Sequence, residues 1–285
     1  MKITFITHSL AGGGSEHVLT IIANYFATHG YEVTIISRTH KNNQYSIDSH
    51  IDVQYVETKS HLIFLRRSRQ IIRNIKPNTV ISFEYFYNMC AVLICLGLNV
   101  KLLISERNDP ARVGSGFIKS RIRNILYSFA DVLICQTDDA KNYFPDYIRK
   151  KVFIILNPIM SGLPSKQEKV RDKVIVNFCG LNKQKNIPLL ISAFEEFCNI
   201  HPDYDGAEKE TILDIIYSKH LERIIKVFPN TPNVHELVIN AAMFVSTSDF
   251  EGLSNSMLEA LSMGLPTICT DCPCGGARMV IEDGV

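Results

Sequence analysis

Two carboxylates, Glu251 and Glu259, lie eight residues apart in a stretch that predicts a strand, a polar loop and a helix. The apolar residues 243–245 indicate the strand. The helix is indicated by apolar residues at helical spacing, which are Leu253, Met257, Leu258 and Leu261. A helix N-terminus just past the carboxyl end of a strand presents unpaired backbone N–H groups at the positive end of the helix dipole. Such a place suits an anion, for example a phosphate.

The same spacing also has a purely structural interpretation. Ser256 is followed three residues later by Glu259, which fits a capping box in which the glutamate satisfies a backbone donor. Glu251 would then be an ordinary loop acid. At the far end of the helix, Gly264 is expected to form the C-terminal cap, and Pro266 opens a strand over residues 267–269. Spacing alone leaves both interpretations open.

A second candidate site is the glycine-rich loop Gly12–Gly14, between a strand predicted at 3–7 and a helix predicted at 16–29. Glycines there let a diphosphate or a sugar approach the backbone closely, and Ser15 is placed to cap the helix. The loop lacks the G-x-G-x-x-G pattern, which argues against a nicotinamide enzyme. His8, at the end of the strand, is expected to be structural.

Strand and helix patterns alternate along the first half of the chain. The predicted strands are 3–7, 32–37, 53–56, 79–83, 101–105, 131–137 and 152–156. This alternation predicts an α/β fold with a doubly wound parallel sheet, whose ligands bind beyond the carboxyl ends of the strands. Asn157-Pro158 and a polar stretch at 161–172 predict a boundary between a domain of residues 1–158 and one of residues 159–285, whose sheet starts at Val174.

Polar side chains follow the strand predicted at 101–105. Glu106, Arg107 and Asn108 are therefore candidates to contact a sugar or an acceptor at the ligand end of the sheet. Asn108-Asp109-Pro110 is equally good turn chemistry, so a structural role stays open.

Residues 59–76 form a basic amphipathic stretch, and no acid occurs between Glu57 and Glu84. A helix of this kind either lies on an anionic membrane or is simply solvated, and both interpretations stay open. A second basic segment, which contains Lys119, Arg121 and Arg123, extends the predicted patch.

Composition excludes several classes of protein. The 285-residue chain has a net charge of only +1, so no global field favours nucleic acid, and it lacks a run of eighteen apolar residues. The N-terminus predicts a first strand and not a signal peptide. Most of the eight cysteines lie in apolar segments, which indicates a reducing cytoplasm. Cys269, Cys272 and Cys274 lack an evident fourth ligand, so no metal is expected.

Residues 250–266, Phe-Glu-Gly-Leu-Ser-Asn-Ser-Met-Leu-Glu-Ala-Leu-Ser-Met-Gly-Leu-Pro, resemble the Glu-x7-Glu motif of retaining glycosyltransferases, in particular glycosyltransferase family 4. This resemblance implies the GT-B fold, two doubly wound Rossmann-like domains with a cleft between them. It also implies that Glu251 faces the donor sugar and that Glu259 holds the ribose hydroxyls of the nucleotide. The amides of Gly252, Leu253 and Ser254 would meet the sugar and the diphosphate.

Other parts of the chain are similar to the family in some respects and depart from it in others. Gly13 and Gly14 resemble the family's Gly-Gly loop at the donor phosphates, and Lys185 matches a cation that binds the diphosphate. The family's Gly-Arg-Leu is replaced by Gly180-Leu181, and a family histidine is absent at 106–108. A strand is predicted to be missing near 204–208. The chain ends where the family continues, so the second domain is expected to be truncated and incomplete.

The resemblance implies transfer of a hexosyl unit from a UDP-sugar to a saccharide or a lipid-linked saccharide, with retained configuration and without a metal or cofactor. It further implies a cytoplasmic enzyme of polysaccharide, lipopolysaccharide or capsule biosynthesis, with peripheral contact to the inner membrane face through residues 59–76. Two alternatives stay open. One is a non-catalytic or decayed homologue, and the other is a sugar-nucleotide 2-epimerase.

Overall fold

A computed structural model of the protein describes residues 1–42, 44–165, 170–180, 182–200, 217–218, 225–226, 228, 231 and 233–282, except for the side chains of 197–200. The chain divides into two compact units. The first comprises Met1–Pro158 with the short segment Cys274–Gly276, and the second comprises Ile159–Pro273 with Ala277–Val285.

The first unit contains a seven-stranded parallel sheet in the order β3-β2-β1-β4-β5-β6-β7. Its strands are β1 Lys2–Thr7, β2 Glu32–Ser37, β3 Asp52–Tyr55, β4 Thr79–Phe83, β5 Lys101–Ser105, β6 Val132–Cys135 and β7 Val152–Ile154. Its helices are α1 Gly14–Thr28, α2 His61–Ile75, α3 Tyr85–Cys95, α4 Phe117–Tyr127, α5 Asp138–Tyr143 and α6 Asp146–Arg149. The predicted doubly wound parallel sheet is therefore confirmed.

Consecutive strand residues face opposite sides of this sheet, and both sides are buried. Phe5 packs in one core cluster with α1, whereas the next residue, Ile6, packs in a second cluster with α2 and α3. Ile35 and Ile36 divide between the same two clusters. A parallel strand covered by helices on both faces needs apolar side chains at every position, which explains the continuous apolar segments of the sequence.

The described part of the second unit has a three-stranded parallel sheet in the order β10-β9-β8. Its elements are β8 Asp172–Val176, a 3-10 turn Lys183–Lys185, α7 Ile187–Ile200, α8 Val234–Val238, β9 Ala241–Ser246, α9 Asn255–Ser262, β10 Thr267–Cys269 and a 3-10 turn Ala277–Met279. Helices α8 and α9 pack with β9 in one core around the fully buried Phe244. The strand predicted to be missing near 204–208 lies outside the described residues.

Two predicted caps differ from the structure. Helix α1 begins at Gly14 with Gly13 as its N-cap, so Ser15 lies inside the first turn and does not cap it. Helix α9 begins two residues earlier than the capping box at Ser256 requires, because the Ser254 hydroxyl accepts a hydrogen bond from the Met257 amide at 3.4 Å. The cap belongs to Ser254, and Glu259 is therefore not its partner.

Candidate active site

The loop between β9 and α9 brings Glu251 and Lys185 together. The Lys185 ammonium donates to Glu251 Oε1. The side chains of Lys185 and Glu251 are 16% and 15% exposed. The Ser248 hydroxyl donates to the same carboxylate oxygen at 2.9 Å. Since these residues are 66 positions apart in the sequence, only the fold places the cation beside the acid.

Backbone and side-chain hydrogen bonds hold the two loops that carry this pair. The Thr247 hydroxyl donates to the carbonyl oxygens of Lys185 and Asn186 at 3.2 and 3.1 Å. The Asp249 amide donates to the Gln184 carbonyl, and the Gln184 side-chain amide donates to the Phe250 carbonyl, both at 2.8 Å. Hydrogen bonds therefore hold together the two loops that carry the ion pair.

A small cavity opens beside Glu251, at the N-terminus of α9. It is lined by Ser246, Ser248, Glu251, Gly252, Ser254, Met257, Cys269, Thr270, Cys272 and Ala277. The lining combines hydroxyl groups with one carboxylate, and the helix N-terminus adds backbone N–H groups. Leu253 differs from its neighbours because its side chain, 4% exposed, packs in the core of the second unit.

Glu259 lies one helical turn further along α9 and pairs with His235 on α8. The distance from His235 Nε2 to Glu259 Oε2 is 2.9 Å, and the two side chains are 14% and 12% exposed. His235 belongs to no motif of the sequence and is not among the predicted site residues. The only signal was its place in an apolar segment just before β9, and nothing in that segment specifies Glu259 as its partner.

In the first unit, Gly13 lies against the buried carboxyl of Glu16. A Cβ added at Gly13 would overlap Glu16 Oε2, so the Glu16 carboxyl would have to shift to admit a side chain here, although the φ of −114° is available to any residue. Burial, together with the nearby carboxyl of Glu84, raises the pKa of Glu16 to about 7. Gly14 opens α1 as its first residue.

Glu106, predicted as a contact to sugar or acceptor, is buried. The side chain is 1% exposed and accepts a hydrogen bond from the Tyr127 hydroxyl. Asn88 donates to the same hydroxyl at 3.2 Å. Burial raises the pKa of Glu106. These contacts are those of a core side chain, and a role of Glu106 in binding sugar or acceptor stays a prediction.

Arg107 and Asn108 occupy the turn after β5. The Arg107 guanidinium lies 4.1 Å from the centre of the Phe83 ring and donates to Asn157 Oδ1 at 2.6 Å, and burial lowers its pKa to about 10. Asn108 Oδ1 accepts from the Asp109 amide at 2.8 Å. These contacts are those of a turn, and a role in substrate binding stays a prediction for both residues.

Arg123 does not belong to the predicted basic surface. It is fully buried, donates to the Pro110 carbonyl at 2.8 Å, and lies against the rings of Tyr143 and Phe144. Lys119 and Arg121, on the same helix, are exposed. Arg121, two positions away, lies on the opposite side of α4 from Arg123, whereas Lys119 lies one turn before it on the same side. The contacts of Arg123 with Pro110, Tyr143 and Phe144, and not helical periodicity, separate it from Lys119.

No group of three or more His, Cys, Asp or Glu side chains within the described residues could hold a metal ion. Within that same part of the chain, no helix is both long enough and apolar enough to cross a membrane.

His8, expected to be structural, contacts the Tyr87 hydroxyl through Nδ1 at 2.8 Å.

Comparison with known proteins identifies two matching families. Residues 12–160 match Glycosyltransferase Family 4, and residues 163–285 match Glycosyl transferases group 1. The amylovoran biosynthesis glycosyltransferase AmsD of Erwinia amylovora is 23% identical over 293 residues, which cover 95% of this chain and 81% of AmsD. A Campylobacter jejuni GalNAc-alpha-(1->4)-GalNAc-alpha-(1->3)-diNAcBac-PP-undecaprenol alpha-1,4-N-acetyl-D-galactosaminyltransferase is 26% identical over 306 residues, 99% of this chain and 82% of that protein.

Among solved structures, Anabaena Alr3699/HepE in complex with UDP-glucose superposes with a TM-score of 0.78 at 15% identity. The match covers 100% of this chain and 84% of that one. At this identity the likeness shows the fold, which is the predicted GT-B architecture of two Rossmann-like domains.

Proposed function

The chain belongs to Glycosyltransferase Family 4, and from that premise we propose that it transfers a hexosyl unit from a UDP-sugar to a saccharide or lipid-linked saccharide, with retained anomeric configuration. The observation that carries the proposal is the contact of Glu251 with Lys185 beside the N-terminus of α9. A carboxylate and the N-terminus of α9 thereby line one cavity, and a cation contacts that carboxylate.

Negative charge develops on the diphosphate when its bond to the anomeric carbon of the sugar breaks, and positive charge already in place stabilises it. Lys185 supplies a full charge, and the backbone amides of Gly252 to Ser254 supply donors at the positive end of α9. A charge-assisted contact of this type is worth about 1.5 to 3 kcal/mol. Because the family's arginine is absent at Gly180-Leu181, we assign a larger share of this task to Lys185.

Glu251 and Glu259 take two different roles in the proposal. Glu251, held by Lys185 and Ser248, faces the donor sugar, whereas Glu259 binds the ribose hydroxyls of UDP. The choice of UDP is supported by HepE, whose solved complex contains UDP-glucose. The choice of a lipid-linked acceptor is supported by the Campylobacter relative, whose name specifies an undecaprenol-diphosphate saccharide.

Removal of the Lys185 charge tests the site. We expect Lys185→Met to lower transfer from a UDP-sugar by about tenfold to a hundredfold, the loss that corresponds to one charge-assisted contact. Lys183→Met is the matched control, because Lys183 is an exposed lysine of the same 3-10 turn. The measurement is product formation with a saccharide acceptor, with the anomer identified by NMR. Equal losses in both variants would reject the assignment of Lys185.

We also propose that the first unit contacts anionic membrane through α2 and α4. Leu62 is 68% exposed on α2 beside the exposed Arg66 and Arg67. Phe117 and Ile118 are 75% and 71% exposed on α4, where Lys119 and Arg121 are exposed too. Exposed large apolar side chains among cations suit the interface of an anionic bilayer.

Sedimentation with phosphatidylglycerol-containing vesicles tests the membrane proposal. The double variant Phe117→Ser, Ile118→Ser should bind at least several-fold more weakly, because less apolar surface enters the interface. Tyr25→Ser is the control, since Tyr25 is 57% exposed on α1, which packs on the opposite face of the sheet. If wild-type protein fails to sediment with these vesicles, the proposal is wrong.

A further inference from the structure

His235 and Glu259 form a largely buried pair, and the proposed chemistry does not explain the histidine. Nε2 of the imidazole lies 2.9 Å from Oε2 of the carboxylate, and each side chain is less than 15% exposed. A carboxylate only accepts hydrogen bonds, so the imidazole hydrogen in this contact lies on Nε2. The contact ties α8 to α9, the helices that precede and follow β9.

The imidazole is itself held in place. The ring of Phe178, which follows β8, meets His235 edge to face with 5.9 Å between centroids and 85° between planes. Phe178 in turn packs on Phe244 with a centroid distance of 4.9 Å, and Phe244 is fully buried. A chain of contacts therefore leads from the core of the second unit through His235 to Glu259.

An unsupported glutamate on a helix surface samples several rotamers, and fixing one of them costs conformational entropy. A hydrogen bond from His235 to one carboxylate oxygen fixes the rotamer of Glu259 before a ligand binds, so that ligand binding loses less conformational entropy. A carboxylate has about four lone-pair sites, and the bond to His235 uses one of them.

We propose that His235 is a positioning residue, which orients Glu259 toward the ribose hydroxyls and thereby sets the preference of the enzyme for ribonucleoside diphosphates. The inference rests on the proposed role of Glu259 in nucleotide binding. His235 acts through Glu259 and does not itself contact the reacting atoms.

Two substitutions separate positioning from packing. His235→Phe keeps a ring against Phe178 and removes the donor, whereas His235→Gln places an amide donor at similar reach. The dissociation constants of UDP and of 2′,3′-dideoxyuridine diphosphate are measured for each by calorimetry. We expect His235→Phe to weaken the binding of UDP by roughly tenfold, which corresponds to about 1.4 kcal/mol of binding free energy. The dideoxy nucleotide should bind unchanged, and His235→Gln should retain most of the affinity for UDP.

The dideoxy nucleotide also reports whether the His235→Phe site is folded. Equal weakening of both nucleotides by His235→Phe would show a structural tie between helices and overturn the inference. So would unchanged binding of UDP. Glu259→Gln identifies which proposal fails: if it weakens UDP and His235→Phe does not, only the positioning role is wrong. If Glu259→Gln leaves UDP binding unchanged, the ribose role of Glu259 fails, and the inference fails with it.

Discussion

At the scale of single residues, the glycine-rich loop is held against a buried acid. Glu16 is 7% exposed, and its Oε2 has no hydrogen-bond partner among the described residues. Burial, and secondarily the carboxyl of Glu84, raises its pKa to about 7. Glu84 itself has a φ of +75°, an uncommon value for a residue other than glycine, and burial raises its pKa as well. The loop that is predicted to contact the donor phosphates therefore packs beside two carboxyl groups, Glu16 and Glu84, whose pKa values are raised by burial.

This arrangement predicts a pH dependence of stability. Because Glu16 binds its proton more tightly in the folded protein, stability falls as pH rises from the ordinary glutamate pKa of 4.5 through the folded-state pKa of about 7. Glu16→Gln should remove that loss, so the variant gains stability over wild type at pH 8 relative to pH 4, by up to about 3 kcal/mol at 1.4 kcal/mol per pKa unit.

Urea unfolding of wild type, Glu16→Gln and the control Glu32→Gln at pH 4, 6 and 8 checks this. Glu32 is exposed at the start of β2 and pairs with Lys2 at the surface, so its variant should follow the wild-type pH profile. A Glu16→Gln profile parallel to wild type would contradict the predicted shift.

At the scale of elements, α9 carries the candidate site, and both of its ends are capped. Ser254 caps the N-terminus, where the cavity lies. At the other end the Leu265 amide donates to the Ala260 carbonyl and the Gly264 amide to the Leu261 carbonyl, both at 2.9 Å. Gly264 has a φ of +72°, so this is a Schellman motif, as the expected glycine cap requires. The helix is therefore held at both of its ends.

The position of the cap is testable, because the sequence and the structure select different serines. Ser254→Ala should destabilise the protein by about 1 kcal/mol, since the Met257 amide loses its acceptor. Ser256→Ala should cost clearly less, because Ser256 contacts the Ser254 hydroxyl at 3.0 Å and caps no amide here. Thermal unfolding of the two variants decides between them. A larger loss for Ser256→Ala would restore the capping box.

At the scale of the whole molecule, the two units have separate hydrophobic cores. The first unit surrounds its sheet with two clusters, and the second unit has its own cluster around Phe244. Units with separate cores can differ in stability and in their response to a ligand. The Glu251 cavity and the His235 contact both belong to the second unit.

UDP should therefore protect the second unit most. At about 100 times its dissociation constant, a ligand adds roughly 2.7 kcal/mol to the native state. We expect amide hydrogen exchange to slow most within residues 246–257, which contain the cavity loop and the start of α9. The measurement compares exchange with and without UDP, with uridine as the control that lacks phosphate. Maximal protection in the first unit would contradict the proposed place of the nucleotide.

The sequence by itself determined the order of elements and the family. Parallel strands buried on both faces are continuous apolar segments, so β1, β2, β4 and β5 were predicted within one residue of their ends. The Glu-x7-Glu motif is local, and a local pattern can be read without the fold. Gly264 was equally predictable, because a C-terminal cap depends on a few adjacent residues.

Tertiary structure decided which side chains meet and which are enclosed. Glu106 and Arg123 have the polar composition of surface residues, yet both are buried by partners from other elements. Lys185 meets Glu251, and His235 meets Glu259, across 66 and 24 positions of the chain. Periodicity reports the environment along one helix or strand, whereas contacts between elements depend on how those elements pack. That packing is a property of the whole unit, and so the charge partners at the candidate site became visible only in the folded chain.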